Sequence, residues 1–251
     1  MKVGIYGCGT VGGTLKRWLE ENTDHEIAVV DPGLNINDDM KYSDAIFICV
    51  PYGAKHKDSI VIETVYQAKK HTQNVFIKST VLPGTNDSLN TVSMPEFLTA
   101  RRPYLDFQKH PIMCGPIPLE FVQRLFPNKE IIQGTNLECE ISKYMHNCFG
   151  ATKVTYFNMF KRICDFYNTN FDNTKVLANH STGYLGTEHL QVPGHDGKLG
   201  YGGTCFPINM ETLEKHLDVI NKHQKLKQDF GLEKEFISLV RTMNLSYRGE
   251  E

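Results

Sequence analysis

One cysteine stands in the segment Gly200-Tyr201-Gly202-Gly203-Thr204-Cys205-Phe206-Pro207. The glycines ahead of it let backbone and ligand approach without a Cβ in the way, and the proline behind it is rigid. That setting suits a thiol that must meet a substrate carbon at close range, although a packed thiol in a tight turn also fits it. A second constellation opens the chain, Gly7-Cys8-Gly9-Thr10-Val11-Gly12. At a strand-to-helix turn, Gly7 permits the turn, Gly9 lets the backbone approach a pyrophosphate, and Gly12 lets helix and strand pack closely. Asp31 follows Gly12 by nineteen residues, at the end of a second β-type run. Its carboxylate suits ribose hydroxyls and would repel a 2′-phosphate, which favours NAD over NADP. A nicotinamide site and a poised thiol together suggest an oxidation through a covalent sulfur adduct.

Other segments offer supporting chemistry. Lys143 and Asn147 lie four apart on a helical stretch and so share a face. A cation and an amide there can hold a developing oxyanion, or they can be ordinary surface residues. Lys78-Ser79-Thr80-Val-Leu-Pro-Gly84-Thr85 follows a strand, at the edge where doubly wound sheets bind ligands. Its hydroxyls can serve a cofactor or cap a helix. Ser93-Met94-Pro95-Glu96-Phe97-Leu98 also follows a short strand, and Glu96 can act as a base or cap a turn.

These residues need a scaffold. Apolar or β-branched runs at 3–6, 27–30, 45–50 and 75–77 predict strands, with helices over 11–21 and 59–70. Shorter strands are expected at 91–93, 112–114 and 130–132. Strands alternating with helices imply a parallel, doubly wound sheet. From about Asn136 the pattern changes. The stretch 137–167 has no proline and a single glycine, with apolar residues at helical spacing, and predicts one helix of about 45 Å. Further helices are expected at 173–180, 210–222 and 232–246, with a Gly- and His-rich functional loop over 181–203. The fold class is therefore a Rossmann-like, doubly wound, mostly parallel sheet over 1–135, followed by an all-helical domain over 136–251.

Composition removes several function classes. A net charge of −2 gives no electrostatic footprint for nucleic acid. No apolar run reaches the roughly 18 residues of a membrane span. Seven scattered cysteines, with no Cys-x-x-Cys and no zinc spacing, suggest reduced thiols, a cytoplasmic setting and no metal.

Taken in order, five segments resemble the UDP-glucose/GDP-mannose dehydrogenase family: GCGTVG at 7–12, KSTVLPGT at 78–85, MPEFL at 94–98, KYMHNCFGATKVTYFN at 143–158 and VPGHDGKLGYGGTCFP at 192–207. The resemblance implies oxidation of a nucleotide sugar's C6 alcohol to a carboxylate with two NAD. It makes Cys205 the nucleophile, forming a thiohemiacetal and then a thioester. By the same resemblance Thr80 and Lys143 position water or stabilise charge, Asn147 donates to an oxyanion, and Glu96 serves thioester hydrolysis. Thr10, Val11, Val50, Pro51, Ser79 and Thr80 join the glycines and Asp31 around the cofactor. Glu96, Phe97, Leu98, Lys143, Asn147, Tyr201, Gly202 and Gly203 face the substrate. A homodimer through the central helices is also implied.

The chain departs from the family in four places. The motif after the cysteine continues Pro-Lys-Asp in the family but Pro207-Ile208-Asn209 here, and Asn209 keeps hydrogen bonds without being a base. Ala100 stands where a second glutamate is usual, and Tyr184 where an arginine is expected. The family's further nucleotide-clamping domain is expected to be absent, making this a short form. Two other readings stay open. One is an NAD-binding sensor, sequestering protein or partner subunit with little turnover. The other is a dehydrogenase for a smaller alcohol.

Overall fold

The computed structural model describes residues 1–52, 59–180, 183–222 and 229–250. The chain divides into two compact units, 1–143 and 144–251.

In the first unit strands and helices alternate: β1 (Lys2–Tyr6), α1 (Thr10–Asn22), β2 (Glu26–Asp31), β3 (Ile36–Asn37), β4 (Ala45–Ile48), α2 (Ser59–Ala68), β5 (Val75–Ile77), α3 (Thr85–Leu89) and β6 (Val92–Ser93). These strands form one sheet in the order β3-β2-β1-β4-β5-β6. Neighbours are parallel except for the short β3, which runs antiparallel to β2. The unit continues with α4 (Pro103–Lys109), β7 (Ile112–Cys114), α5 (Leu119–Leu125) and β8 (Ile131–Gln133), and β7 and β8 form a separate parallel pair.

The strands are short and apolar because both faces are covered. Side chains alternate across a strand, so β4 and β5 feed two cores. Ala45, Phe47 and Phe76 point to one, with Leu15, Trp18 and Leu19 of α1, Phe107 of α4, and Val122 and Leu125 of α5. Ile46, Ile48, Val75 and Ile77 point to the other, where Val61, Val65 and Ala68 of α2 meet them. This is the doubly wound sheet expected from the alternating pattern. The short helices α3 to α5 were not legible, since five to seven residues cannot display a helical stripe.

The second unit is helical. It comprises most of α6 (Asn136–Phe166), then α7 (Phe171–His180), α8 (Cys205–Lys222) and α9 (Gly231–Arg248). Tyr144, Cys148 and Ala151 of α6 pack with Met210 and Leu217 of α8 and with Ile237 and Val240 of α9. α8 starts five residues earlier than Met210, the start expected from sequence. Pro207 falls in its first turn, where a missing N–H costs nothing. The long loop before α8 is irregular over 183–203; Ser181 and Thr182 lie outside the described residues.

The division between the units falls inside α6, because its first turns bury polar side chains in the first unit. Asn136 accepts from the Ser93 amide (2.8 Å) and donates to the Thr91 carbonyl (3.0 Å) and to Asp87 (2.8 Å). Glu140 accepts from the amides of Gly84 (2.6 Å) and Asn86 (2.8 Å) and from the Asn86 side chain (2.7 Å). Glu140→Ala is expected to destabilise this unit by roughly 3 kcal/mol, since three donors lose a charged acceptor where water does not replace it. Urea unfolding followed by the fluorescence of Trp18, the single tryptophan and a core residue of this unit, measures the change. A loss below about 0.5 kcal/mol, the size of an ordinary surface substitution, would contradict it.

Candidate active site

The carboxyl edge of the large sheet gathers the residues proposed for a cofactor. Gly7 ends β1 in a left-handed conformation (φ 84°), and its amide donates to the Val30 carbonyl (2.9 Å). A Cβ on Gly12 would lie 1.9 Å from the Gly7 carbonyl oxygen, so helix and turn touch backbone to backbone. Gly9 differs: nothing lies within 4 Å of where its Cβ would be. It caps α1 without a side-chain hydrogen bond, and no acidic residue stands in the first turn. The first amides of a 13-residue helix thus meet open space beside exposed Gly9 and Thr10 and half-buried Val11, an arrangement that can hold a pyrophosphate.

Asp31 has more to do than the sequence indicated. One carboxylate oxygen accepts from the Cys8 amide (2.6 Å), tying β2 to the glycine turn, and the other accepts from Gly33 (2.9 Å) and Leu34 (3.2 Å). Lone pairs remain for a ribose, so the residue fits that role while also bracing the turn. Val50 and Pro51 follow β4, and the Ser79 hydroxyl donates to the Val50 carbonyl (2.6 Å), joining the ends of β4 and β5. Thr80 is half-buried beside it.

A second cluster in the same unit joins Lys143 to Glu96. The buried ammonium of Lys143 donates to the main-chain oxygen of Glu96 and lies 3.3 Å from its Oε1, with the Phe97 ring 5.1 Å away. The other carboxylate oxygen accepts from the Leu98 amide (2.7 Å). Glu96 therefore sits in one orientation, with a cation on one oxygen. Sequence reading gave no role to Lys78, although its segment was singled out. Its side chain is buried and donates to the Met94 carbonyl (3.1 Å). Burial holds this ammonium below its usual range, nearby Cys49 and Glu96 oppose that, and Lys143 adds to it. A cavity of about 20 Å³, room for one water, is lined by Lys78, Glu96, Phe97, Leu98, Phe107 and His110 among others.

In the second unit Cys205 is the exposed cysteine of the seven. It is the first residue of α8, where unpaired helix amides favour negative charge. Burial pushes the thiols of Cys49 and Cys148 up to about 12 and that of Cys139 to about 11, which keeps them protonated and inert near neutral pH. Phe206 packs against α6: a Cβ on Gly150 would lie 2.6 Å from its ring. Asn147 donates from Nδ2 to Oδ1 of Asn209, and both are buried. The glycine loop is held by main-chain contacts. The Gly200 amide donates to Asn158 (2.9 Å), the Tyr201 amide donates to Asn244 (2.6 Å), and Asn244 donates back to the Tyr201 carbonyl (3.0 Å).

The Tyr201 phenol is not at the surface of this loop. It lies in the core against Phe206, and burial pushes it up to about 12. Gly203, Thr204 and Cys205 are the exposed part of the segment. Ala100 and Tyr184 are both exposed. Sequence reasoning had assigned no role to Asn158 or Asn244; a buried asparagine at helix spacing from Asn147 was the available signal for the first.

The sequence model of the UDP-glucose/GDP-mannose dehydrogenase family, central domain, matches residues 138–245, a span that holds Lys143, Asn147, Cys205 and Asn209. The helical half is thus similar to the central domain of that family. Among curated relatives, the UDP-glucose 6-dehydrogenase of Rhizobium meliloti is 28% identical over 235 residues, covering 78% of this chain and 52% of its own length. The chain thus spans about half of that relative. Among solved structures, a UDP-glucose dehydrogenase from Pyrobaculum islandicum has a TM-score of 0.75 at 17% identity, covering 96% of this chain and 68% of its own. A 3-hydroxyisobutyrate dehydrogenase from Mycobacterium tuberculosis has a TM-score of 0.69 at 10% identity, covering 98% and 94%. These two likenesses concern the fold. No helix among the described residues is long and apolar enough to cross a membrane, and these residues contain no metal-binding cluster.

Proposed function

We propose that this chain carries out the NAD-dependent oxidation of a nucleotide-sugar primary alcohol to the acid, through a covalent intermediate on Cys205. The observation that carries the reading is the exposed Cys205 at a helix start, behind a braced glycine loop, in a span matched by the family's central domain. The open Gly9 face, the uncapped start of α1 and Asp31 are the residues that would hold NAD.

When bound, NAD would supply the hydride acceptor for each of two oxidations. This chain's residues account for the remainder. The alcohol carbon loses its first hydride and its hydroxyl proton, leaving an aldehyde. Asn209 accepts the Asn147 amide and has no basic atom, so the proton leaves to water. The Cys205 thiolate adds to the carbonyl carbon to give a thiohemiacetal, which keeps the aldehyde from escaping. Loss of the second hydride makes the thioester. Water attacks it and the C–S bond breaks, so that the acid leaves with the thiol restored; by the family resemblance Glu96, which is paired with Lys143, is the base that takes the water's proton. Asn147, with Lys143 one turn earlier on α6, donates to the oxyanion. The sum is one alcohol, two oxidised NAD and one water giving one acid, two NADH and two protons.

We also propose a homodimer through α6. Ile141, Met145, Phe149, Tyr156 and Ile163 form an exposed apolar stripe on one face of this helix, with Met145 70% and Phe149 66% exposed. Two copies meeting on that stripe would bury it in a self-complementary contact. Phe149→Glu is expected to shift sedimentation from dimer to monomer; a sedimentation profile unmoved by the charge would refute this face.

The activity is tested by counting NADH against acid with a panel of UDP- and GDP-sugars. The expected result is two NADH per acid with one sugar, and no acid from Cys205→Ser. Undiminished acid from that variant would remove the thioester.

A further inference from the structure

We propose that Arg248 and Asp196 form a latch that positions Cys205 by pressing on the glycine loop before it. The inference rests on the reading of Cys205 as the reacting thiol, and its geometry lies wholly within the second unit.

The glycines at 200 and 202 have a partner that the sequence did not reveal. A Cβ on Gly202 would lie 2.9 Å from Arg248 Nη1 and 3.0 Å from Cζ and Nη2. The guanidinium therefore lies against the face of Gly202 that any other residue would fill. A Cβ on Gly200 would meet Asn244 Oδ1 at 2.4 Å and Arg248 Cγ at 3.2 Å. Gly203 is different, with nothing within 4 Å. So α9 occupies the side-chain space of Gly200 and Gly202, whereas the side-chain space of Gly203, left-handed at φ 77°, is open.

Arg248 is itself fixed. Its side chain is 11% exposed, Nη1 lies 3.1 Å from Asp196 Oδ2, and Nε donates to Glu250 (3.2 Å). Asp196 sits six residues before Gly202 in the same loop, and its other oxygen accepts from the Lys198 amide (3.1 Å). A Gly194–Lys198 main-chain bond (2.8 Å) closes that turn. Arg248 thus joins two points of one loop, its turn at Asp196 and its glycine stretch at Gly202, to a helix end. Asn244, one turn earlier on α9, grips Tyr201 between them. The loop has no regular structure of its own, so these contacts fix the direction in which it delivers the chain to α8 and to Cys205. A flat cation that packs its face on a glycine while its edge nitrogens reach two carboxylates is specific to arginine. Arg248 and Asp196 are positioning residues, acting through the loop.

The test uses the full chain with Arg248→Met, Arg248→Lys, Asp196→Asn and Gly202→Ala. Gly202 does not have a left-handed φ, so alanine there introduces its Cβ into the guanidinium without backbone strain. Hydrogen–deuterium exchange of the peptide 199–206 and iodoacetamide labelling of Cys205 read the loop without any substrate. Exchange of this peptide is expected to speed up by about tenfold in Arg248→Met, Asp196→Asn and Gly202→Ala, with a changed Cys205 labelling rate and exchange elsewhere preserved. Arg248→Lys keeps the charge pair and loses the planar face, and should recover only part of the protection. With an active substrate, kcat should fall about 10- to 100-fold while KM stays within about twofold. Loop exchange and Cys205 labelling equal to the parent in Arg248→Met, or in Gly202→Ala should Arg248→Met not fold, would overturn the latch. Silence of the parent with every sugar would count against the proposed reaction and leave the loop measurements to decide the latch.

Discussion

The molecule depends on a stripe of buried polar side chains along one face of α6. Asn136, Glu140, Lys143 and Asn147 recur at spacings of four, three and four residues, which returns each to the same side of the helix. Each is matched: Asn136 to the end of β6, Glu140 to the start of α3, Lys143 to Glu96, and Asn147 to Asn209. Burying such groups is unfavourable unless every one is satisfied. A charged pair such as Lys143–Glu96 gains little net stability, yet removing either partner strands a charge at about 3–5 kcal/mol. The stripe therefore specifies register more than it stabilises. Within the first unit it sets the register of the first turns of α6 and so where the Lys143 ammonium and the Glu96 carboxylate stand; within the second it sets Asn147 against Asn209.

The glycines serve two different ends. Gly7 and Gly12 are required by backbone contacts within the βα turn, whereas Gly9 and Gly203 leave space open. Gly150, Gly200 and Gly202 are filled by neighbours: Phe206 against the first, and Asn244 and Arg248 against the others. A glycine-rich segment near a reactive residue thus reads as two populations, one that admits a ligand and one that admits the protein's own side chains. Only coordinates separate them.

Much of the fold was legible because its signals are local. Apolar runs of three to six residues between turn residues marked β1, β2, β4 and β5, and the absence of proline over about thirty residues marked α6. The extra start of α8 was hidden by Pro207, which reads as a breaker although the first turn tolerates it. The candidate site rests on motif resemblance, which names Cys205, Lys143, Asn147 and Glu96. The resemblance was silent on the residues that hold them. Lys78, Glu140, Asn158, Asn244 and Arg248 are ordinary polar residues in sequence, and their roles come from burial against a loop distant along the chain. Asp31 shows the same limit, since nothing local foretells that its carboxylate also grips the Cys8 amide.

As proposed, the reaction passes through sulfur at residue 205, with Glu96 needed to release the product. The most direct measurement is intact-mass and peptide mass spectrometry of Glu96→Gln after incubation with NAD and UDP- or GDP-sugars. The expected result is a sugar-sized mass gain on the peptide that holds Cys205, persisting because thioester hydrolysis is slowed. Acid formed at the parent's rate, with Cys205 unmodified throughout, would contradict it.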